Sequence, residues 1–186
     1  MSKPRISSED LKKMIKKTGL PMPTTKVFLA GIRGYYLDSM GVKGKNDRGI
    51  YDDALIWVTP NGIFSFNANV DPSAYRKGTG KGSTKGMASL NCGIWLYQMG
   101  MHNGSAPHPA FRQAASVVVT RDGVDAFYED TGMFGINIHR GGNTGTSSLG
   151  CQTIPPKQWD SFKELGYSEL KRAGQKKFFY ILLENK

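Results

Sequence analysis

The sequence predicts a mostly β, α+β domain with one helix near its N-terminus and a second close to its C-terminal end. Three observations carry that expectation. Apolar runs of six to ten residues recur after residue 26, each bounded by glycine or polar turn residues. Two segments alone, one between Ser7 and Gly19 and one over 155–166, carry apolar residues at helical spacing. At 186 residues, with 39% hydrophobic and 11% aromatic content, the chain can bury the core of one folded domain.

The first helix has the plainest signals. Ser7-Ser8-Glu9-Asp10 supplies a cap with an acid three positions on, and Leu11, Met14 and Ile15 share a face. Lys12, Lys13, Lys16 and Lys17 take the other face and the last turn, where the helix dipole favours cations. Gly19 and the LPMP that follows end it. Residues 1–26 therefore read as a basic helix and linker, its lysines either solvated or facing an anionic surface, and 27–186 as a single domain.

Strands are expected at 27–36, 54–59, 62–68, 93–98, 115–120, 134–139 and 178–184, with Thr59-Pro60-Asn61-Gly62 turning the second into the third. Proline opens the segment 155–166, whose Trp159, Phe162 and Leu165 lie on one side of a helix. Long polar loops are expected at 38–49, 71–91 and 100–112. The second concentrates lysine and glycine, as either a basic flap or a disordered segment, and holds no phosphate-loop motif.

The net charge of +10 is concentrated in residues 1–50 and 76–85, leaving the remainder near neutral. Such patches attract polyanions: nucleic acid, anionic lipid or an acidic wall polymer. A single-strand nucleic-acid binder would interleave its basic residues with aromatics. Here the lysines gather in a helix and a glycine loop away from Phe64 and Trp95, which ranks that class last. No run reaches the ~20 apolar residues of a membrane span, so stable membrane insertion is not expected. The N-terminus lacks a secretory signal, so synthesis in a cytoplasm is expected, with delivery by another route if the protein acts elsewhere. Two cysteines make no disulfide framework and match no zinc-finger spacing.

The chemistry concentrates in 138–153, IHRGGNTGTSSLGCQT. His139 ends an expected strand, and Cys151 follows twelve positions later across a stretch containing Gly141, Gly142, Gly145 and Gly150. Such a chain can fold back to bring thiol and imidazole together, making Cys151 a nucleophile and His139 its base. The backbone amide of Cys151, with that of Gly150 or Leu149, then faces the carbonyl oxygen under attack.

The stretch resembles the signature of the L,D-transpeptidase catalytic domain, a cysteine enzyme family of bacterial cell walls. That signature runs from a strand-end His followed by Gly, through a variable loop, to Ser-His-Gly-Cys-x-Arg. His139 matches the base, while Ser148, Gly150 and Cys151 match the serine, the glycine and the nucleophile. Leu149 stands in place of the histidine, Thr153 of the arginine and Arg140 of the first glycine. The resemblance covers roughly residues 90–165. It implies a β-sandwich or barrel of that type with a helix after the nucleophile. It implies a peptidoglycan stem peptide as substrate, approached through an anionic envelope, and no cofactor. Substrate contacts fall to Arg140 as a replacement cation and to Thr153. Such substitutions are similar to those of divergent phage or effector members that cleave the stem. Hydrolysis of an L–D bond, as in an endolysin, is therefore preferred over transpeptidation.

Trp95 and Tyr97 alternate onto one strand face and suit either a substrate groove or the core. Asp130 is either a turn residue or a partner that orients His139. Cys92 reads as buried or incidental. His102 is a further substrate-binding candidate. A rival enzyme class places zinc on His102, His108 and His139. Its spacing fits no zinc motif, and a loop containing Gly104-Ser105-Ala106-Pro107 would hold ligands poorly.

Overall fold

The expected first helix is α1 (Ser8–Lys17), capped where Ser7 Oγ accepts the Asp10 N–H at 3.0 Å. Gly19 follows at φ +75°, in the left-handed region that ends helices. The computed structural model describes residues 3–36, 47–79, 85–103 and 107–185. After α1 come β1 (Phe28–Arg33), β2 (Asp53–Thr59), β3 (Gly62–Ala68), β4 (Ala88–Leu90), β5 (Gly93–His102) and β6 (His108–Gln113). Then follow β7 (Val117–Arg121), β8 (Tyr128–Gly132), β9 (Ile138–Arg140), β10 (Gln152–Ile154), helix α2 (Pro156–Arg172) and β11 (Lys177–Glu184). The protein is mostly β with two helices among the described residues, as the sequence predicts.

Eight strands form one sheet in the order β10-β9-β6-β5-β11-β1-β2-β3, and β4-β7-β8 form a smaller one. The large sheet nearly closes on itself. Just past β3, Asn69 and β10 residue Thr153 exchange two backbone hydrogen bonds of 2.8 Å each. Closure of this kind covers strand edges that would otherwise invite pairing with other chains.

Alternation along the central strands explains why they are apolar on both faces. Leu29, Leu55, Trp57, Phe178, Tyr180 and Leu182 point into the main core, which α2 closes with Trp159 and Phe162. Phe28, Ala30, Ile32, Ile56, Ile181 and Leu183 point the other way, against Leu11 and Ile15 of α1. Burying Leu11 and Ile15 contributes about 1.5–3 kcal/mol each. The basic helix is thus packed onto the sheet, and its lysines lie on the exposed side.

Several expectations change. The segment 100–112 is no loop: β5 runs through His102 and pairs antiparallel with β6, leaving 104–106 outside the described residues. Residues 37–46 and 80–84 also lie outside them, and with these most of the loop expected at 38–49 and the middle of the one expected at 71–91. The rest of that loop is anchored. Ser73 N–H donates to Ser148 O at 2.8 Å, and Arg76 N–H to Asp122 Oδ2 at 3.0 Å. The strand expected at 134–139 shrinks to β9, and β4, β6, β8 and β10 were not anticipated.

The second helix runs six residues beyond the expected 166, passing through Gly166. Glycine is needed there because a Cβ would approach Phe111 Cζ at 2.7 Å and collide with the Trp57 indole. Gly166→Ala should therefore lower the unfolding free energy in urea titrations by about 2–3 kcal/mol, despite alanine's better helix propensity. A stability equal to or above that of the parent would show that the Trp57–Phe111 contact yields freely.

Candidate active site

Strands β9 and β10 lie side by side and parallel, with His139 opposite Thr153, so the chain must return across residues 141–151. The return is tight. A Cβ at Gly142 would meet Gly145 O at 2.6 Å, and one at Gly141 would strike the Tyr51 hydroxyl, which donates to Gly142 O at 2.9 Å. At Gly150, with φ +156°, a Cβ would meet Ala88 O at 2.6 Å. Gly141, Gly142 and Gly150 are therefore sites of close approach, whereas a Cβ at Gly145 would meet nothing within 4 Å. Ser148 braces the end of the turn: its hydroxyl donates to Cys151 O at 2.6 Å and accepts the Gly150 N–H at 3.0 Å.

This return delivers Cys151 to His139. The thiol sulfur and one ring nitrogen from each of His139 and His102 all lie within 4.8 Å of one another. Cys151 is half-buried; Sγ–H points to Gly135 O at 3.4 Å and Sγ accepts the Asn137 N–H at 3.5 Å. His139 is buried, with Nδ1 at 2.7 Å from the Arg140 carbonyl. A carbonyl only accepts, so that contact places the proton on Nδ1 and leaves Nε2 as the basic nitrogen. The ring of His102 stacks on His139 with centroids 4.4 Å apart and planes 26° from parallel.

Electrostatics set the resting protonation state. Burial, opposed by the Arg140 hydrogen bond and helped by His102 and His108, pushes His139 down to about 4. Burial and the neighbours His108 and Arg112 lower His102 as well. Burial raises the Cys151 thiol, against the stabilising Asn137 amide. At neutral pH the pair is a neutral thiol beside a neutral imidazole.

The expected residues divide. Cys151, His139 and His102 come together, and Leu149, two positions before the cysteine, is exposed. The expected oxyanion role of Gly150 falls away, because its amide is donated to Ser148 Oγ. The Ser148 side chain is likewise engaged in the turn. Thr153 is wholly buried and pairs with Asn69, so it presents nothing to a substrate. Arg140 follows His139 on β9, and strand alternation sends it to the opposite, exposed face. Tyr97 is not a groove residue: it is completely buried, packed against Tyr180 with ring centroids 5.4 Å apart. Trp95 packs on the same core and donates Nε1–H to Asn91 O at 2.9 Å. Asp130 is neither a turn nor a triad member but pairs with Lys85 at 2.6 Å and Arg121 at 2.7 Å. Cys92 is exposed rather than buried.

Two residues that sequence reasoning missed organise the site. Asn137 touches three of its parts. Its N–H meets Cys151 Sγ, its Nδ2 lies 3.1 Å from His102 Nδ1, and its Oδ1 accepts the Gln113 N–H at 3.2 Å. Its position two before His139 in the strand expected at 134–139 was the available signal. Gln113 Oε1 accepts the amides of Phe134, Gly135 and Ile136 at 3.0–3.1 Å, fixing the carbonyl that faces the thiol. Nothing in the local sequence announced it.

The chain was compared with protein-family models, with curated proteins and with solved structures, and it matches none of them.

The protonation state is directly measurable. In an NMR pH titration the His139 ring should stay neutral down to about pH 5 and titrate near 4, far below the ordinary 6.5. Over that window the unfolded chain binds a proton that the folded chain does not, so His139 weakens the fold progressively as pH falls from 6.5 to about 4. A His139 midpoint above 6 would contradict the neutral pair.

Proposed function

We propose that the protein is a cysteine-nucleophile enzyme that hydrolyses an L–D peptide bond in the peptidoglycan stem, on a fold of the L,D-transpeptidase type. The observation that carries the chemistry is the convergence of Cys151 Sγ and the His139 ring, with the tautomer fixed from behind by Arg140 O. The substrate class rests on the resemblance of residues 139–153 to the L,D-transpeptidase signature. The +10 charge suits a polyanionic envelope.

A neutral pair implies general-base catalysis rather than a resting thiolate–imidazolium ion pair. His139 Nε2 takes the thiol proton as Sγ bonds to the carbonyl carbon on the L side of the scissile bond. The oxyanion is held by backbone amides around Leu149 and Cys151, each donor contributing roughly 10²–10³ in rate. The intermediate collapses to a thioester as the C–N bond breaks, and the D-side amine leaves with the proton held by His139. Water, deprotonated by the same nitrogen, then attacks the thioester and frees Cys151 as the thiol. An amine in place of water gives transpeptidation through the same intermediate. The proposed place of action is the cell wall.

Metal-dependent hydrolysis is the second reading, and one observation favours it. The pairing of β5 with β6 brings His102 to His139, and with Cys151, in the place expected of His108, they offer two nitrogens and a sulfur within 4.8 Å of one another. The His108 ring stands 5.2 Å from His102 and 5.8 Å from His139.

Purified peptidoglycan or a stem tetrapeptide, incubated with the parent and with Cys151→Ala, separates the readings by mass spectrometry of the products. The expected result is release of D-residue fragments by the parent, undiminished by EDTA, and a loss of about 10⁴-fold or more in Cys151→Ala. Activity abolished by EDTA and restored by zinc would replace the thiol mechanism with the metal one.

A further inference from the structure

We propose that His102, His139 and Cys151 form a binding site for a zinc-like divalent cation that reversibly masks the nucleophile. The inference rests on Cys151 being the nucleophile of the proposed reaction, and it adds a ligand and a mode of control.

The donor set is two imidazoles and a thiol, drawn from β5, β9 and the residue before β10. Nitrogen and sulfur donors select zinc and its neighbours over magnesium or calcium, which take oxygen. Ligand atoms around tetrahedral zinc, with bonds of about 2.0–2.3 Å, stand roughly 3.3–3.7 Å apart. Here the three atoms already lie within 4.8 Å, so small side-chain rotations on fixed strands suffice.

The outer shell is a second, independent observation. Metal-bound histidines characteristically use the other ring nitrogen to bond a carbonyl or side chain, and that support fixes their aim. His139 Nδ1 donates to Arg140 O at 2.7 Å in that sense, while Asn137 Nδ2 donates to His102 Nδ1 at 3.1 Å and fixes the orientation of that ring. Cys151 Sγ receives the Asn137 N–H at 3.5 Å, a bond that a thiolate strengthens. His139 and Cys151 thus have polar supports suited to metal ligands, and Asn137 touches both Cys151 and His102. His102 otherwise has no step to perform in the thiol mechanism.

Binding replaces the S–H bond by an S–Zn bond and releases one proton to solvent, without oxidation or reduction. The ion occupies the sulfur lone pair needed for attack and the His139 nitrogen needed as base. A fourth position is left for water.

The protein carries its own control, because Cys92 is exposed and outside the cluster. The reduced protein is alkylated with iodoacetamide, with and without micromolar zinc, and each cysteine is followed by mass spectrometry. Zinc is expected to slow Cys151 modification by about tenfold or more, EDTA to reverse this, and Cys92 to be unaffected. Cobalt(II) in place of zinc should give a thiolate-to-metal charge-transfer band and the intense visible absorption of a four-coordinate site. His102→Gln should weaken zinc binding by at least about tenfold in calorimetry. Its unfolding midpoint is measured in parallel, and His102→Asn serves if the glutamine variant does not fold.

Equal alkylation of Cys151 with and without zinc, or absence of the cobalt bands in the parent, overturns the proposal while leaving the thiol mechanism intact. Loss of zinc-free turnover in Cys151→Ala tests that mechanism separately. Faster peptide release by the zinc-loaded protein than by the EDTA-treated one would overturn both.

Discussion

The parallel pairing of β9 with β10 is the constraint from which the candidate site follows. Parallel strands need a crossover, usually a dozen or more residues with a helix of its own. Here residues 141–151 make the return without one. A path that short passes against Tyr51, against its own backbone at Gly145, and against the Ala88 carbonyl. Only glycine fits at those points, and the hydroxyls of Ser73, Thr146 and Ser148 hold the turn by bonds of 2.6–2.8 Å. The same pairing that sets His139 across from Thr153 leaves Cys151 at the end of the return. The thiol and the imidazole meet because the backbone has few other ways to close.

That arrangement was legible in sequence because it is local. One cysteine and one histidine twelve positions apart, joined by glycine and hydroxyl residues, already contain the fold-back. His102 was not legible in the same way. Its approach to His139 depends on the β5–β6 pairing that sets His102 opposite His108, followed by the contact of Phe111 with Ile138 between β6 and β9. The β6 sequence HPAFRQ begins with a histidine and a proline and buries its residues without strict alternation, so it carries no period-two pattern. The strands β4, β9 and β10 are three residues long, below the length at which any periodicity can be read. Strand β8, YEDTG, is polar throughout and owes its conformation to β7.

The helices show the opposite balance. Both were visible from apolar spacing and capping chemistry, since those are properties of adjacent turns. The extension of α2 through Gly166 was hidden because a glycine ordinarily weakens a helix. Its presence answers to an indole on β2, more than a hundred positions earlier in the chain. Position-specific residue choices of this kind, Gly166 under Trp57 and Gln113 clasping three amides, are made by tertiary contacts and leave no trace in local pattern.

Strand β11 lies between β5 and β1, bonding antiparallel to one and parallel to the other. Its pairing links β1, β2 and β3 to the strands bearing the histidines, reinforced by the bridge at Asn69 and Thr153 and by α2, which touches β3, β9 and β10. Every residue of the candidate site precedes it in the chain. As the polypeptide is made from its N-terminus, nucleophile and base are therefore both present before the sheet that holds them can be completed. During that interval the site is chemically written but mechanically unassembled. Residues 177–184 complete the sheet by pairing between β5 and β1.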